Sequence, residues 1–505
     1  MKRILSLIIV ICLLFGTVIN FTSCDVISEL LGVGKTDIGN KEEPDCSNGK
    51  HIDEDENEFC DICYEYVVVV IDFYVFNDLH GKFCDSDTQP GVDEFGSYIE
   101  DMRSKDDNVV LLSSGDMWQG SAESTLSFGN IMVDWMNLLG FEAMTLGNHE
   151  FDWGEDAVRA NAERAEFPFL AINIYDKSTG KLADYCTPSI MIERDGIQIG
   201  IIGAIGDCYS SISSDMVSGI TFKVGSQLTA LVKAESKKLR EAGADLIVYS
   251  IHDGEENYDS SLSNGYVDIV FEGHTHSKYV EQDSYGVYHI QAGGENAGIS
   301  HAEIAVNSAN GNKEVNKSRI IYNSTYSKYE DHAATEELEN KYADLIEYAY
   351  ADLGVVSRYY DDSDIEDFVA QLYLEAGVER WDESYDIVLG GGFLKTRTPY
   401  NLTSGIKKYA DLLSLFPFNN KLVLCSVQGK DLKNKFIYST NDDYHIAMSS
   451  YGSSITINDN ETYYIVVDTY TALYAPNRLT IIEFYDDTTY ARDLLADAIE
   501  AGRLQ

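Results

Sequence analysis

The chain has 505 residues, enough for more than one hydrophobic core, and at 44% hydrophobic and 24% charged it has the composition of a folded protein. Its 84 acidic against 37 basic residues give a formal charge of -47. That charge repels nucleic acid phosphates, and with no basic patch interleaved with aromatics it argues against binding to a nucleic acid duplex.

The first element is a leader. Lys2 and Arg3 precede an apolar run, Ile4 to Ile19, closed by Phe21-Thr22-Ser23-Cys24, the layout of an export signal and short for a membrane span. Ending in Ser-Cys, it resembles a bacterial lipoprotein signal over residues 1–24. That resemblance implies lipidation of Cys24 and an extracytoplasmic protein held to the cell membrane only by its lipid. A conventional cleaved signal would give a secreted protein instead.

Residues 25–66 read as an acidic tether carrying a knot, Cys46, His51, Cys60 and Cys63, spaced Cys-x4-His-x8-Cys-x2-Cys. Three thiolates and one imidazole would close a tetrahedral structural zinc site with no position left for substrate. Asp53, Asp55 and Asn57 alternate like the start of a calcium loop, but the glycine and distal Glu of such a loop are missing. An acidic tether with no metal is the third reading. The other cysteines, Cys84, Cys186, Cys208 and Cys425, are scattered and read as small buried hydrophobes.

From residue 67 the chain turns strand-like. "VVVVIDFYVF", "NVVLLSSGD", "AMTLGNHE", "FPFLAINI", "IQIGIIGAIG", "ADLIVYSIHDG" and "VDIVFEGHTH" are β-branched runs, most of them separated by helical patterns. With "VYHIQAG" and "HAEIAV" they predict an α/β domain over 67–330. Ala334 to Val356 places Leu338, Tyr342, Leu345, Ile346, Ala349 and Leu353 at helical spacing, ending near Gly354. It predicts a linker helix within 331–364. Residues 365–505, with "YDIVLGGG", "KLVLCSVQG" and "TYYIVVDTY", predict a smaller α+β domain.

Five of the ten histidines stand at the ends of predicted strands of the first domain. Asp78 and His80 follow the first strand, Asp116 ends "LLSSGD", and Asn148-His149 end "MTLGNH". His252 ends "IVYSIH", and His274 and His276 end "IVFEGHTH". In α/β sheets ligands gather beyond the carboxyl ends of the strands. Alternate residues of an extended chain share a side, which strengthens the pairs Asp78/His80 and His274/His276. Mixed carboxylate, imidazole and carboxamide donors suit divalent Zn, Mn or Fe rather than Ca. Leaving out His149, the seven others exceed one tetrahedral ion, and two ions a few ångströms apart are a standard device for phosphoester hydrolysis.

"NDLHG", "SSGDMWQGS", "LGNHEFDWG" and "GHTH", in this order, resemble the calcineurin-like metallophosphoesterases and more narrowly their 5'-nucleotidase family. The resemblance implies a metallophosphoesterase β-sandwich flanked by helices over 67–330. Residues 365–505 would then be a C-terminal substrate-binding domain, with a hinge near Ala334 to Val356. It implies that Asp78, His80, Asp116 and His276 hold one metal and Asp116, Asn148, His252 and His274 the other. His149 would be the catalytic histidine and Asp152 the carboxylate that orients its ring.

The same resemblance reaches the second domain with departures. In "VLGGGFLKTR" the family's Asn and Arg positions hold Leu389 and Leu394, leaving Lys395 or Arg397 to meet the substrate. "FPFNN" implies Phe418 as one face of a base clamp and Asn420 as a polar contact. Tyr470 or Tyr474 in "TYTALYAPNRL" would be the second face. The implied function is metal-dependent hydrolysis of nucleotide phosphoesters outside the cytoplasm, for nucleotide catabolism and phosphate salvage. The alternatives are a 2',3'-cyclic-nucleotide phosphodiesterase, a nucleotide-sugar hydrolase, or a non-catalytic surface lipoprotein.

Overall fold

A computed structural model describes residues 51–54, 57–63, 67–85, 91–214, 216–396, 401–441, 443–474, 479–486 and 489–505. The leader with Cys24, and also Cys46, Asp55, Arg397 and the side chain of Tyr474, lie outside the described residues.

The first domain is built on β1 (Val68–Phe76), β2 (Val109–Ser113), β3 (Ala143–Thr145), β4 (Phe169–Leu170), β5 (Ile174–Asp176), β6 (Ser189–Arg194) and β7 (Ile197–Ile205). It continues with β8 (Ile220–Phe222), β9 (Leu246–His252), β10 (Ile269–Glu272), β11 (Lys278–Gln282), β12 (Tyr288–Ala292), β13 (Gly298–Asn307) and β14 (Lys313–Tyr322). One sheet runs β14-β13-β1-β2-β3-β4 and the other β11-β12-β10-β9-β7-β6, while β5 pairs with β8. Within the first, β1, β2, β3 and β4 are mutually parallel; within the second, β7, β9, β10 and β12 are.

The period-two pattern of β1 decides the layering. Ile71, Phe73 and Val75 enter the core between the sheets with Val110, Leu112, Val248 and Phe271. Tyr74 and Phe76 face the other way, against the helices Asp93–Arg103 and Asn130–Leu139 through Phe95, Tyr98 and Trp135. Each such fully buried side chain contributes roughly 1.5–3 kcal/mol of transfer free energy. The layers together form a helix-flanked α/β sandwich, as the resemblance implied. Of the scattered cysteines, Cys208 and Cys425 are buried, while Cys84 and Cys186 are partly exposed.

The predicted linker helix is not one helix. Ala333–Lys341 and Ala343–Tyr350 are separate helices broken at Tyr342, whose ψ of 10° leaves the helical range. Residues Asp352–Val356 are a strand, β15, paired antiparallel with Gly405–Lys408. Gly354 ends no helix: a Cβ there would lie 2.7 Å from the carbonyl oxygen of Ile499, so glycine lets the strand press on the C-terminal helix Asp493–Glu500. The segment is fastened at both ends. Tyr342 donates to Asp134 at 2.9 Å, and Tyr350 donates to buried Glu123 at 2.6 Å.

The second domain is a five-stranded sheet: β16 (Ile387–Phe393), β18 (Leu422–Gln428), β19 (Tyr444–Met448), β20 (Thr462–Asp468) and β21 (Leu479–Phe484), with β17 the Gly405–Lys408 strand. Its order is β19-β16-β20-β18-β21. The helix Asp362–Trp381, capped by Asp361 accepting from the Asp364 amide, packs on it through Val369, Tyr373 and Leu374. On this helix Glu366 and Asp367 bracket His445 of β19, at 3.0 and 2.8 Å.

The Glu366 hydrogen bond and then that of Asp367 push His445 up to about 9 against the effect of burial. Because the folded value lies above the unfolded one of about 6.5, this pair stabilises the domain fully below about pH 6.5. The contribution is lost as pH rises through 9. Urea midpoints between pH 6.5 and 9.5 are expected to fall in the parent protein, and less steeply in His445→Gln.

Candidate metal centre

The carboxyl ends of β1, β2, β3, β9 and β10 bring the seven sequence-predicted donors to one edge of the sandwich. Asp78, Asp116, Asn148, His80 and His252 are buried, His274 is partly exposed and His276 is exposed. Floor and rim are therefore different environments. Nε2 of His252 lies 3.0 Å from Asp116 Oδ2, 3.2 Å from Asn148 Oδ1 and 3.9 Å from Asp78 Oδ1. On the other side Nε2 of His276 lies 3.5 Å from Asp78 Oδ1 and 3.0 Å from His80 Nε2.

Local backbone geometry aims these groups. Asp78, His80, Asp116, His274 and His276 all have φ between 50° and 70°, a left-handed conformation that costs non-glycine residues of order 1 kcal/mol each. The strands end in sharp reversals that would not persist without compensation. Some of it comes from ring hydrogen bonds: Nδ1 of His80 donates to the Gln119 carbonyl and Nδ1 of His252 to the Ser114 carbonyl, each at 2.7 Å. With Nδ1 so engaged, Nε2 of each ring faces the cluster, the usual arrangement behind a metal-binding imidazole.

Electrostatics agrees with a cation site. Burial pushes Asp116 up, but the imidazole of His252, followed by those of His149 and His80, outweighs it and holds the carboxylate well below its ordinary range. Burial pulls His252 down, while Asp116 and then Asp78 push it to about 10. Burial, aided by the rings of His149 and His276, outweighs Asp116 and Asp78 and lowers His80 to about 4. The carboxylates thus hold positive charge at His252 Nε2, where a metal ligand must be unprotonated, and a divalent ion would take the proton's place. Oxygen and imidazole donors fit Zn, Mn or Fe; the Cys208 thiol lies within 4.8 Å of the His252 and His274 ring nitrogens, but burial pushes it up and it donates to the His252 carbonyl. On this chemistry the residues fit two divalent ions, with Asp116 between the two groups.

His149 faces the same basin. Its ring centroid is 5.2 Å from that of His80, its amide donates to Asp116 Oδ1 at 2.8 Å, and its Nδ1 lies 2.8 Å from Asp152 Oδ2. The sequence reading missed Glu150, although it stands inside the quoted "GNHEFDWG". It is fully buried, and its carboxylate accepts from the amides of Asp116 (3.0 Å), Met117 (2.8 Å) and Gly147 (2.7 Å). This one side chain ties the β2 loop to the β3 loop.

The second-domain candidates are not equally available. Phe418 is 57% exposed. Asn420 instead donates to Oδ2 of buried Asp468 at 3.2 Å, so its amide is already engaged. Arg492, unmarked in the sequence reading, is buried and pins the same loop by donating to the Phe418 carbonyl at 2.6 Å and to Asn419. Leu389 and Leu394 are core residues. Lys395 pairs with Asp443 at 3.4 Å. Tyr470 packs on Phe393, with centroids 5.5 Å apart.

An α/β sandwich presenting these donors from five strand ends defines a metallophosphoesterase domain. The family model for calcineurin-like phosphoesterase matches residues 71–278, and the chain carries that domain. It is 30% identical over 250 residues to an apyrase of Tabanus yao, covering 45% of this chain and 44% of the relative. It is 25% identical over 424 residues to the protein UshA of Yersinia enterocolitica, covering 71% and 74%. The crystal structure of a 5'-nucleotidase precursor from Thermus thermophilus shares the fold, with a TM-score of 0.59 at 16% identity over 86% of this chain and 96% of that one. The chain thus spans less than half of the apyrase's own length.

Gly147 offers a test of how tightly the donors are set. A Cβ there would lie 2.3 Å from Asp116 Oδ1 and 2.7 Å from the Asp116 amide nitrogen. Gly147→Ala is expected to keep the fold by circular dichroism yet weaken metal binding by about tenfold or more in chelator competition. Unchanged affinity would mean that Asp116 need not sit where the structure puts it.

Proposed function

We propose that the protein is a metal-dependent hydrolase of nucleotide phosphoesters, acting outside the cytoplasm in nucleotide catabolism and phosphate salvage. The observation that carries this reading is the His149–Asp152 pair, which stands over a basin of seven metal donors. Bound there, two divalent ions would polarise the phosphate, activate water and offset charge on the leaving oxygen. The chain's own contribution is positional and protonic. Asp152 accepts from Nδ1 of His149 and fixes the ring's orientation and tautomer. Nε2 can then carry the proton that the leaving oxygen needs, or hydrogen-bond a developing phosphoryl charge.

The substrate class draws support from the relatives' names: apyrase and 5'-nucleotidase. Two features favour a substrate other than a simple nucleoside monophosphate. Leu389 and Leu394 are buried at the positions where the resemblance placed polar contacts, and Asn420 is engaged with Asp468. Cyclic nucleotides and nucleotide sugars therefore belong beside AMP in any assay. The extracytoplasmic, lipid-anchored location rests on the leader and its Ser23-Cys24 ending. Among the described residues no helix is long and apolar enough to cross a membrane.

Phosphate release from a panel of 5'-nucleotides, 2',3'-cyclic nucleotides and nucleotide sugars is the deciding measurement. Activity is expected with Mn or Zn and is expected to vanish with chelator. No turnover on any of them after metal loading would leave a non-catalytic binder. His149→Ala is expected to lower kcat by about 10²- to 10⁴-fold with metal content unchanged, and Asp152→Asn by less. If kcat in His149→Ala equals that of the parent, the role given to this ring is wrong.

A further inference from the structure

The stretch that precedes β1 contains a second cluster of metal-binding side chains, remote in chemistry from the first. His51, Cys60 and Cys63 place one donor atom each within 4.8 Å of one another, and Nδ1 of His51 lies 3.4 Å from Cys63 Sγ. We infer that His51, Cys60 and Cys63 bind a single zinc ion that staples the entry of the chain into the sandwich.

Three observations carry this. First, the donor set is thiolate and imidazole, which selects zinc among available divalent ions, whereas the seven donors of the sandwich centre are oxygen and nitrogen and the one nearby thiol, Cys208, donates to the His252 carbonyl. Second, Cys60 is fully buried, yet the backbone prepares its sulfur for negative charge. The Ile62 amide donates to Sγ at 3.4 Å.

Third, the segment has little apolar material of its own to keep it folded. Phe59 is 46% and Ile52 37% exposed. Its order comes from polar ties: Asp61 amide to Ile52 carbonyl at 2.6 Å, Val67 amide to Glu58 carbonyl at 3.0 Å, and Asn307 of β13 to buried Asp53 at 3.0 Å. With so little apolar packing, a structural metal would supply the constraint that a core does not.

The calcium reading of the same stretch loses support. Asp53 Oδ1 accepts from the Asn57 amide, and Oδ2 accepts from the Glu58 amide and from Asn307. Both oxygens are turned to the protein, as a turn requires.

Cobalt separates this site from the sandwich centre, because only thiolate ligands give a ligand-to-metal charge-transfer band in the near ultraviolet. The full chain, stripped by chelator and reloaded with Co²⁺, is expected to show that band, and Zn²⁺ is expected to bleach it. The double variant Cys60→Ser/Cys63→Ser is expected to lose the band while keeping the d–d absorption of cobalt in the sandwich centre. That retained absorption shows that the domain still folds and that only the knot is lost. His51→Ala, which keeps both sulfurs, is expected to weaken cobalt binding at the band by about tenfold or more. A parent protein without the band overturns the inference, as does a band of full intensity in the double variant. So does a Cys60–Cys63 disulfide found by mass spectrometry in protein isolated without reductant or oxidant.

Discussion

Two carboxylates, Asp78 and Asp116, sit in the floor of the first domain with almost no access to water, and a buried charge has to be compensated or it costs several kcal/mol. Much of the surrounding architecture is that compensation. Asp78 accepts from the His274 amide through both oxygens and from the Asn77 side chain. Asp116 accepts from the His149 amide and meets the His252 ring. A third buried acid, Glu150, is satisfied by three amides and joins the loops that carry the other two. The left-handed residues at the strand ends are tolerable because these bonds over-determine them.

This explains why the centre was legible in the sequence. A metal site needs Asp, Asn and His together, and parallel strands deliver their carboxyl ends to one edge. The seven donors and His149 could be marked at strand ends from local patterns, while Asp152 and the division of roles came only from the resemblance. Glu150 could not, because it binds amides and carries no donor spacing. It is visible only once the β2 and β3 loops are side by side.

Elsewhere the missing information was non-local. Ala334 to Val356 satisfies helical spacing as far as Leu353, but Asp352–Val356 becomes a strand because Gly405–Lys408 offers it an edge. Asn420 looks like a free polar contact until Asp468, 48 positions later, is seen against it. Arg492 holds the Phe418 loop from a helix near the C-terminus and has no motif to announce it. Side chains whose partners are distant in sequence are the ones that pattern reading assigns least well.

Loops are ordinarily where a protein tolerates change. Here the lack of room beside Asp116 at Gly147, and the strained residues that follow β1, β2 and β10, reverse that expectation. Evolutionary drift in this fold should be freest on the solvent faces of the helices. It should be slowest in a few turns at one edge of the sheets, where a single methyl group displaces a carboxylate.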